Sequence, residues 1–487
     1  MLGHPAAGRD PWCAWRDTTL TQLRTSAGGH HIMPNVSGQG NASAPLALRR
    51  ELSVRDLVLF NISAVVGIRW VAAAAHVGPG SLALWALAAV LFFVPSALAV
   101  SSLSRLYPGQ GGLYVWAQRS FGDWHGFLCG WLYWCSNLFY FPNLLVSGVA
   151  MAVYSLRSGD PRLSGSPGFV LGASLVVLWI AMLTNLVGLR IGKWTENVGG
   201  ASTYIAVLGL VVTAMIVWMQ KGAANHLDLV PAWSWEKLNF WSQLAFAFVG
   251  LELGAVMGGE IRDPERTVPR AAWISGLAIA VIYILGTLAL LVLLPSGEIN
   301  IVTGLAQAAV ASGRQSGLPW LSPLIATLIM AAVAGQLGAW IAGSSRIPFV
   351  MGVDRYLPAA FAHLHPRWRT PHVAILTQGT ACTVFVLAMQ AGDDLRTAYQ
   401  LLVDMTVITT FVPFLYIFLA SYKNGQRLSG AAGMIVTACG IAFALVPPSG
   451  SRSAWLFAGK LLAGCALLIA AGRIIFVRGC RAKPARK

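Results

Sequence analysis

Three charged side chains fall inside stretches that offer them nothing to bond. Arg69 lies in an apolar run from Leu57 to Val77, Glu252 in one over 241–260, and Asp404 in one over 397–421. A bare guanidinium in hydrocarbon costs about 2.5–3.5 kcal/mol on insertion scales. Water, a carboxylate or a ligand must answer Arg69, whose planar fork suits a carboxylate bidentately. Acids inside such segments are candidates for proton relay by default, with structural pairing as the main alternative. The two opposite charges sit in echoing sequences, "VVGIR" at 65–69 and "FVGLE" at 248–252. One answer to Arg69 is therefore that it and Glu252 balance one another, directly or through water or a ligand.

The remaining chemistry is sparse. There is no HExxH, no Walker A loop and no GxSxG elbow. His30 and His31 have no ligand partners nearby, and His363 and His365 share a loop with arginines, which reads as solvated. Seven cysteines without a CxxC read as small buried hydrophobes rather than a disulfide framework. No catalytic group, cofactor or metal site is expected.

The elements that must position these charges follow from composition. Of 487 residues, 56% are hydrophobic and 11% charged, against about 25% charged in soluble domains. Apolar runs recur that are long enough to cross a bilayer as helices. Twelve segments result: 56–78, 81–104, 124–155, 168–188, 198–219, 241–260, 270–294, 321–350, 372–390, 397–421, 430–447 and 454–476. Clusters such as "VGPGS" (77–81) and "LVPPSGSRS" (445–453) mark turns between them. The first fifty residues are polar, without the apolar core of a signal peptide. Met33 is a candidate start, because 1–32 show no periodic pattern.

Charge sets the orientation. With both termini cytoplasmic, 25 of the 34 Lys and Arg fall inside, 8 outside, and Arg69 is the remainder. This is the bias of the positive-inside rule. The net charge of +16 then lines a membrane rim facing anionic lipid, and no nucleic-acid partner is needed. Sequons at Asn35, Asn41 and Asn61 fall on the cytoplasmic side or within the membrane and read as chance. A plasma membrane, the inner membrane in a bacterium, is the expected location.

Three stretches carry a family resemblance: "YPGQGGLYVWAQRSFG" (107–122), "FAFVGLELGAVMGGEIRDPERTVPRA" (246–271) and "GSSRIPFVMGVDRYLPAAFAHLHPRWRTPHVAI" (343–375). Together they resemble the amino acid–polyamine–organocation superfamily of secondary transporters, over about 51–421. The resemblance implies an all-α polytopic membrane protein. Its LeuT-type core has five plus five helices in inverted repeat (56–219 and 241–421), with two further helices at 430–476. A polar tail (1–50) and a basic tail (477–487) flank these.

Such transporters bind substrate near the bilayer midplane, where the first helix of each repeat is interrupted. The resemblance places that site at Val65, Val66, Gly67, Ile68 and Arg69 in segment 1. In segment 6 it places it at Phe246, Val249, Gly250 and Glu252, with Gly254 a further interruption. Phe246 aligns with an aromatic gate. Asn137 and Phe141, with Phe139, are candidate pocket walls. Glu252, Ser344, Ser345 and Asp404 are candidates for proton or sodium coupling; Ala206 stands where some sodium-independent members carry lysine. The chain departs from the family at segment 1. Two β-branched valines replace glycine and a small residue, and Arg69 replaces an aromatic. That arginine favours acidic substrates and disfavours arginine or polyamines. Transport of amino acids or related solutes is the implied function, as symporter or antiporter. An ion-independent exchanger, a transport-inactive sensor, a channel and a membrane-embedded enzyme are the alternatives.

Overall fold

Each of the twelve apolar segments is helical in the computed structural model, which describes residues 50–156, 166–230, 235–388, 395–446 and 454–482. Met33 and the N-terminal tail lie outside the described residues. Backbone polar groups in hydrocarbon must pair within their own segment, which leaves helix as the solution for an apolar run of this length. We number the helices α1 (Val54–Val65), α2 (Ile68–Val77), α3 (Ser81–Leu106), α4 (Leu113–Phe121), α5 (Asp123–Leu156), α6 (Pro167–Val187), α7 (Leu189–Lys221) and α8 (Trp235–Phe246). There follow α9 (Leu253–Val256), α10 (Pro264–Leu293), α11 (Gly304–Gln315), α12 (Leu321–Val353), α13 (His372–Ala388), α14 (Leu395–Lys423), α15 (Arg427–Ala444) and α16 (Ala454–Ala482).

Among the described residues, eight helices are long and apolar enough to cross a membrane, and α1 with α2 forms a ninth span bent by 49°. The 34-residue α5, the interrupted α8–α9 stretch and the 17-residue α13 fill the other three segments. The segment reading did not include α4 and α11, which are too short and polar to span. No strand occurs among the described residues; a single parallel bridge joins Leu52 to Ile261.

Local sequence explains where α1 starts and stops. Ser53 caps it: its Oγ accepts from the Asp56 amide, and the Asp56 carboxylate accepts from the Ser53 amide at 3.0 Å. Such reciprocal caps contribute about 1 kcal/mol. The helix ends at Val65, where β-branched Val65 and Val66 precede Gly67. In α3, a π-turn at Ala89–Phe93 precedes Pro95, which lacks the amide needed for a regular turn.

Glycine sets the closest helix contact. A Cβ on Gly199 of α7 would lie 2.5 Å from the Cα of Gly335 on α12, and one on Gly200 would lie 2.8 Å from the Leu59 carbonyl of α1. Small residues let membrane helices approach to backbone contact. Here they clamp α1 against two long spans, so its broken end has a fixed place.

Candidate functional site

Two interrupted helices meet at one tyrosine. Val65, Val66 and Gly67 separate α1 from α2, and residues 247–252 separate α8 from α9. Tyr283 of α10 is fully buried between them. Its hydroxyl lies 2.8 Å from the Val65 carbonyl and 2.9 Å from the Ala247 carbonyl, and accepts from the Gly67 amide at 3.2 Å. The ring stacks on Trp85 at 4.2 Å, and the Trp85 indole donates to Thr287. The carbonyls orphaned where α1 ends find further donors on α12: Gln336 Nε2 (2.9 Å) and Trp340 Nε1 (2.7 Å) both donate to the Ala64 oxygen.

Gly250 is required at the second break for two reasons. Its φ is +121°, and a Cβ there would lie 2.9 Å from Val65 Cγ2 and 3.3 Å from Trp340 Cζ2. The two breaks thus touch across a glycine. Gly67 has extended backbone, and the Trp70 indole covers it so closely that a Cβ would sit 2.6 Å away. Gly254, expected as part of the interruption, instead lies inside α9 and packs on Leu57.

Arg69 and Glu252 form no ion pair. The Glu252 carboxylate accepts from Tyr133 Oη at 2.5 Å and from the Gly250 amide at 3.0 Å. It braces its own turn. Arg69, on the first turn of α2, is 4% exposed, and its Nε and Nη1 have no hydrogen-bond partner among the described residues. Its guanidinium lies over the Trp70 ring at 4.5 Å and the Tyr140 ring at 4.9 Å. Each cation–π contact offers about 0.5–2 kcal/mol. Burying an ion costs several kcal/mol even after relaxation, so the rings offset only part of it. The unmet donors and the N-terminal end of α2 share one sign of charge, and an anion answers both.

The other expected site residues divide. Val65, Val66, Phe246 and Val249 are all buried at the breaks. Phe246 joins a box of rings, 5.9 Å from Trp70, 6.3 Å from Tyr140 and 6.2 Å from Phe411. The side chain of Ile68 lies outside the described ones. On α5, Tyr140 belongs to this box, and Tyr140 and Tyr133 both face Trp340, at 5.3 and 6.1 Å. Asn137 lies between them, fully buried, with Nδ2 donating to the Tyr133 carbonyl and Oδ1 unpartnered. Phe141 is buried beside Tyr140 at 6.3 Å, while Phe139 packs on Phe385 of α13. Asp404 is fully buried on α14, seven residues before Phe411 and hence on the same face. Sequence reasoning missed Tyr283, Trp340, Tyr140 and Tyr133. A helical spacing of seven joins the last two, a signal that was available.

Ser344 and Ser345 are fully buried on α12. Ser344 Oγ donates to the Trp340 carbonyl at 2.6 Å and accepts from Gln378 at 2.8 Å. Ser345 accepts from Arg346 Nη1 at 3.2 Å. Arg346 is one of the 25 basic residues that the charge count puts on the inner side; it is not a solvated loop residue but is 2% exposed within α12. Glu260 makes that burial tolerable, taking Nε at 2.9 Å and Nη2 at 3.2 Å. At the same end, the Glu260 carbonyl accepts from the amides of Glu51 and Leu52, and Lys193 bonds Asp56 at 2.8 Å.

Comparison with known proteins agrees with this architecture. The chain is 26% identical over 446 residues to an uncharacterised transporter of Legionella pneumophila, covering 86% of this chain and 95% of that one. It is 24% identical over 454 residues to a probable agmatine/putrescine antiporter of Lactococcus lactis (88% and 95% covered) and 25% identical over 394 residues to the serine/threonine exchanger of Bacillus subtilis (79% and 85% covered). The sequence model of the amino acid permease family matches residues 52–469. With apolar helices that can span a membrane and a family match over most of its length, the chain is an integral membrane protein and belongs to the amino acid permease family of transporters.

Proposed function

We propose that the protein is a secondary active transporter, not an enzyme, and that it moves amino acids bearing an extra carboxylate across a membrane by alternating access. The substrate sits at the paired breaks, with Val65–Arg69 on one side and Phe246–Glu252 on the other. The observation that carries this is Arg69, a buried guanidinium with two donors unmet among the described residues, on the first turn of α2. A carboxylate there gains charge-assisted hydrogen bonds of about 1.5–3 kcal/mol. Trp70, Tyr140 and Phe246 supply the apolar walls. An agmatine or putrescine cation, named for one relative, would meet Arg69 with like charge, and is disfavoured here. The division into two five-helix repeats and the cytoplasmic placement of both termini belong to the same reading.

Coupling by sodium at Ser345 is disfavoured too, because Arg346 already bonds that hydroxyl. Proton coupling through Asp404 or Glu252, or obligate exchange, fits better. Proteoliposomes with labelled aspartate, glutamate and neutral amino acids test the proposal. Saturable uptake of acidic substrates is expected, reduced at least tenfold by Arg69→Ala with the protein still folded. Wild-type uptake of the whole panel by Arg69→Ala would refute it. Binding without translocation would identify a sensor. Uptake only against internal substrate, insensitive to pH and sodium gradients, would identify an uncoupled exchanger.

A further inference from the structure

A cavity of about 960 Å³ lies between α5, α12 and α16, at the end of the bundle that the proposed orientation makes cytoplasmic. Trp131 and Trp134 of α5, Met351 of α12, Phe361 in the turn at Ala359–Ala362 and Ile475 of α16 give it apolar walls. Arg355 and Arg478 line it as well. Both arginines are exposed, and among the described residues neither is in an ion pair. The acid beside Arg355 in sequence, Asp354, is engaged elsewhere: it accepts from Tyr114 Oη at 2.5 Å and Gln118 Nε2 at 3.4 Å.

The fold works to place these two charges. Arg355 follows the end of α12 with φ +62°, a position helices usually give to glycine or asparagine. An arginine there accepts about 1–2 kcal/mol of backbone strain. A Cβ on Gly479 would lie 2.5 Å from the Tyr356 carbonyl, so α16 rests directly on the turn that carries Arg355. Tyr356 stacks on Phe476 at 4.9 Å and fixes that contact. Arg478 is thereby brought to the same cavity. In its wall, Trp134 is 8% exposed and its indole N–H has no partner among the described residues.

We propose that this cavity binds an anionic phospholipid of the cytoplasmic leaflet. Its acyl chain lies against Trp131, Met351, Phe361 and Ile475, and its phosphate meets Arg355 and Arg478. The chemistry selects this occupant. The walls suit hydrocarbon, the two unpaired arginines suit a phosphate, and the cavity opens at the rim where basic residues concentrate. A zwitterionic lipid offers the same chains but less net charge. Each arginine near a membrane surface contributes about a fivefold preference for anionic lipid.

The test uses the full chain purified in detergent and titrated with palmitoyl-oleoyl phosphatidylglycerol or phosphatidylcholine, with bound lipid counted by native mass spectrometry. Phosphatidylglycerol is expected to be retained in preference. R355Q and R478Q should each lower that preference about fivefold, and the double variant about 25-fold, with phosphatidylcholine retention unchanged. Both sites are exposed, and a thermal unfolding midpoint confirms that the variants fold. An unchanged preference in the double variant overturns the proposal. So does competition by glycerophosphate as effective as the intact lipid, which would mark a soluble-anion site. If removal of residues 1–49 is required before any phosphatidylglycerol binds, the cavity belongs to the N-terminal tail and the proposal fails.

Discussion

Replacing Glu260 by glutamine removes one charge from a pair that water does not reach. Arg346 Nε and Nη2 lie 2.9 and 3.2 Å from the two carboxylate oxygens, and each side chain of the pair is 2% exposed. Arg346 Nη1 is already committed to the Ala342 carbonyl at 2.7 Å, so the guanidinium cannot turn away without losing a further bond. Removing one partner of a buried pair costs about 3–5 kcal/mol. The amide retains one acceptor, which places Glu260→Gln near 3 kcal/mol. The backbone of Glu260 also holds Glu51 and Leu52, and the Leu52 carbonyl accepts from the Arg262 amide. The side-chain pair therefore anchors the segment that closes this end beneath α1. If its free energy holds that closure, the open population rises by about 150-fold.

Alkylation of Leu52→Cys in a cysteine-free background reads this out, since Leu52 is 1% exposed. The rate should rise by about two orders of magnitude in Glu260→Gln. It should fall back in part in E260Q/R346Q, where the unmet guanidinium is gone, although buried Glu196 then loses the charge of Arg346. A wild-type rate together with a wild-type unfolding midpoint in Glu260→Gln would refute the reasoning.

Tyr283→Phe keeps the stack on Trp85 but strips the hydroxyl that serves Val65, Ala247 and Gly67. A buried polar group left unmet costs about 1–3 kcal/mol, so substrate affinity should drop about 5- to 150-fold in equilibrium binding; an unchanged affinity would show that the breaks hold without it. Gly250→Ala must adopt φ +121° and press on Val65, whereas Gly254→Ala, at ordinary helical φ, meets side-chain atoms of Leu57 at 2.8 Å and Asn61 at 3.1 Å. Transport should vanish in the first and largely persist in the second, and equal damage would contradict the geometry. For topology, Ser158→Cys (outside the described residues) and Arg427→Cys should react with an impermeant reagent from opposite sides of the membrane. Reaction of both from outside would dismiss the twelve-span arrangement.

The spans were legible because hydrocarbon leaves a long apolar run one option, and segment length carries that information directly. The glycine breaks were legible in part. Gly67 and Gly250 announced themselves by their place in the echoed sequences, but nothing local separates Gly250, with its positive φ, from Gly254, buried in a regular turn. Tyr283 and Trp340 escaped notice because an aromatic in an apolar helix reads as packing until its polar atom is seen against a broken helix end. Arg346 escaped for the opposite reason. A charge near a segment boundary reads as solvated, and only Glu260, 86 residues away, reveals that it is not.

The same reasoning explains why the expected pairing of Arg69 with Glu252 did not form. The echo places both charges at the two breaks but says nothing of the direction each side chain takes. Glu252 turns back to cap the Gly250 amide and is held there by Tyr133. That leaves the acid satisfied and the base not. Two charges that neutralised each other would make the site indifferent to substrate charge. A carboxylate committed to its own backbone leaves the guanidinium that rests on Trp70 and Tyr140 as the charge that the proposed reading assigns to substrate. With about 0.5–2 kcal/mol from each ring against a desolvation cost of several, the rings offset only part of the burial of Arg69, and under the proposed function a substrate carboxylate would supply the remainder.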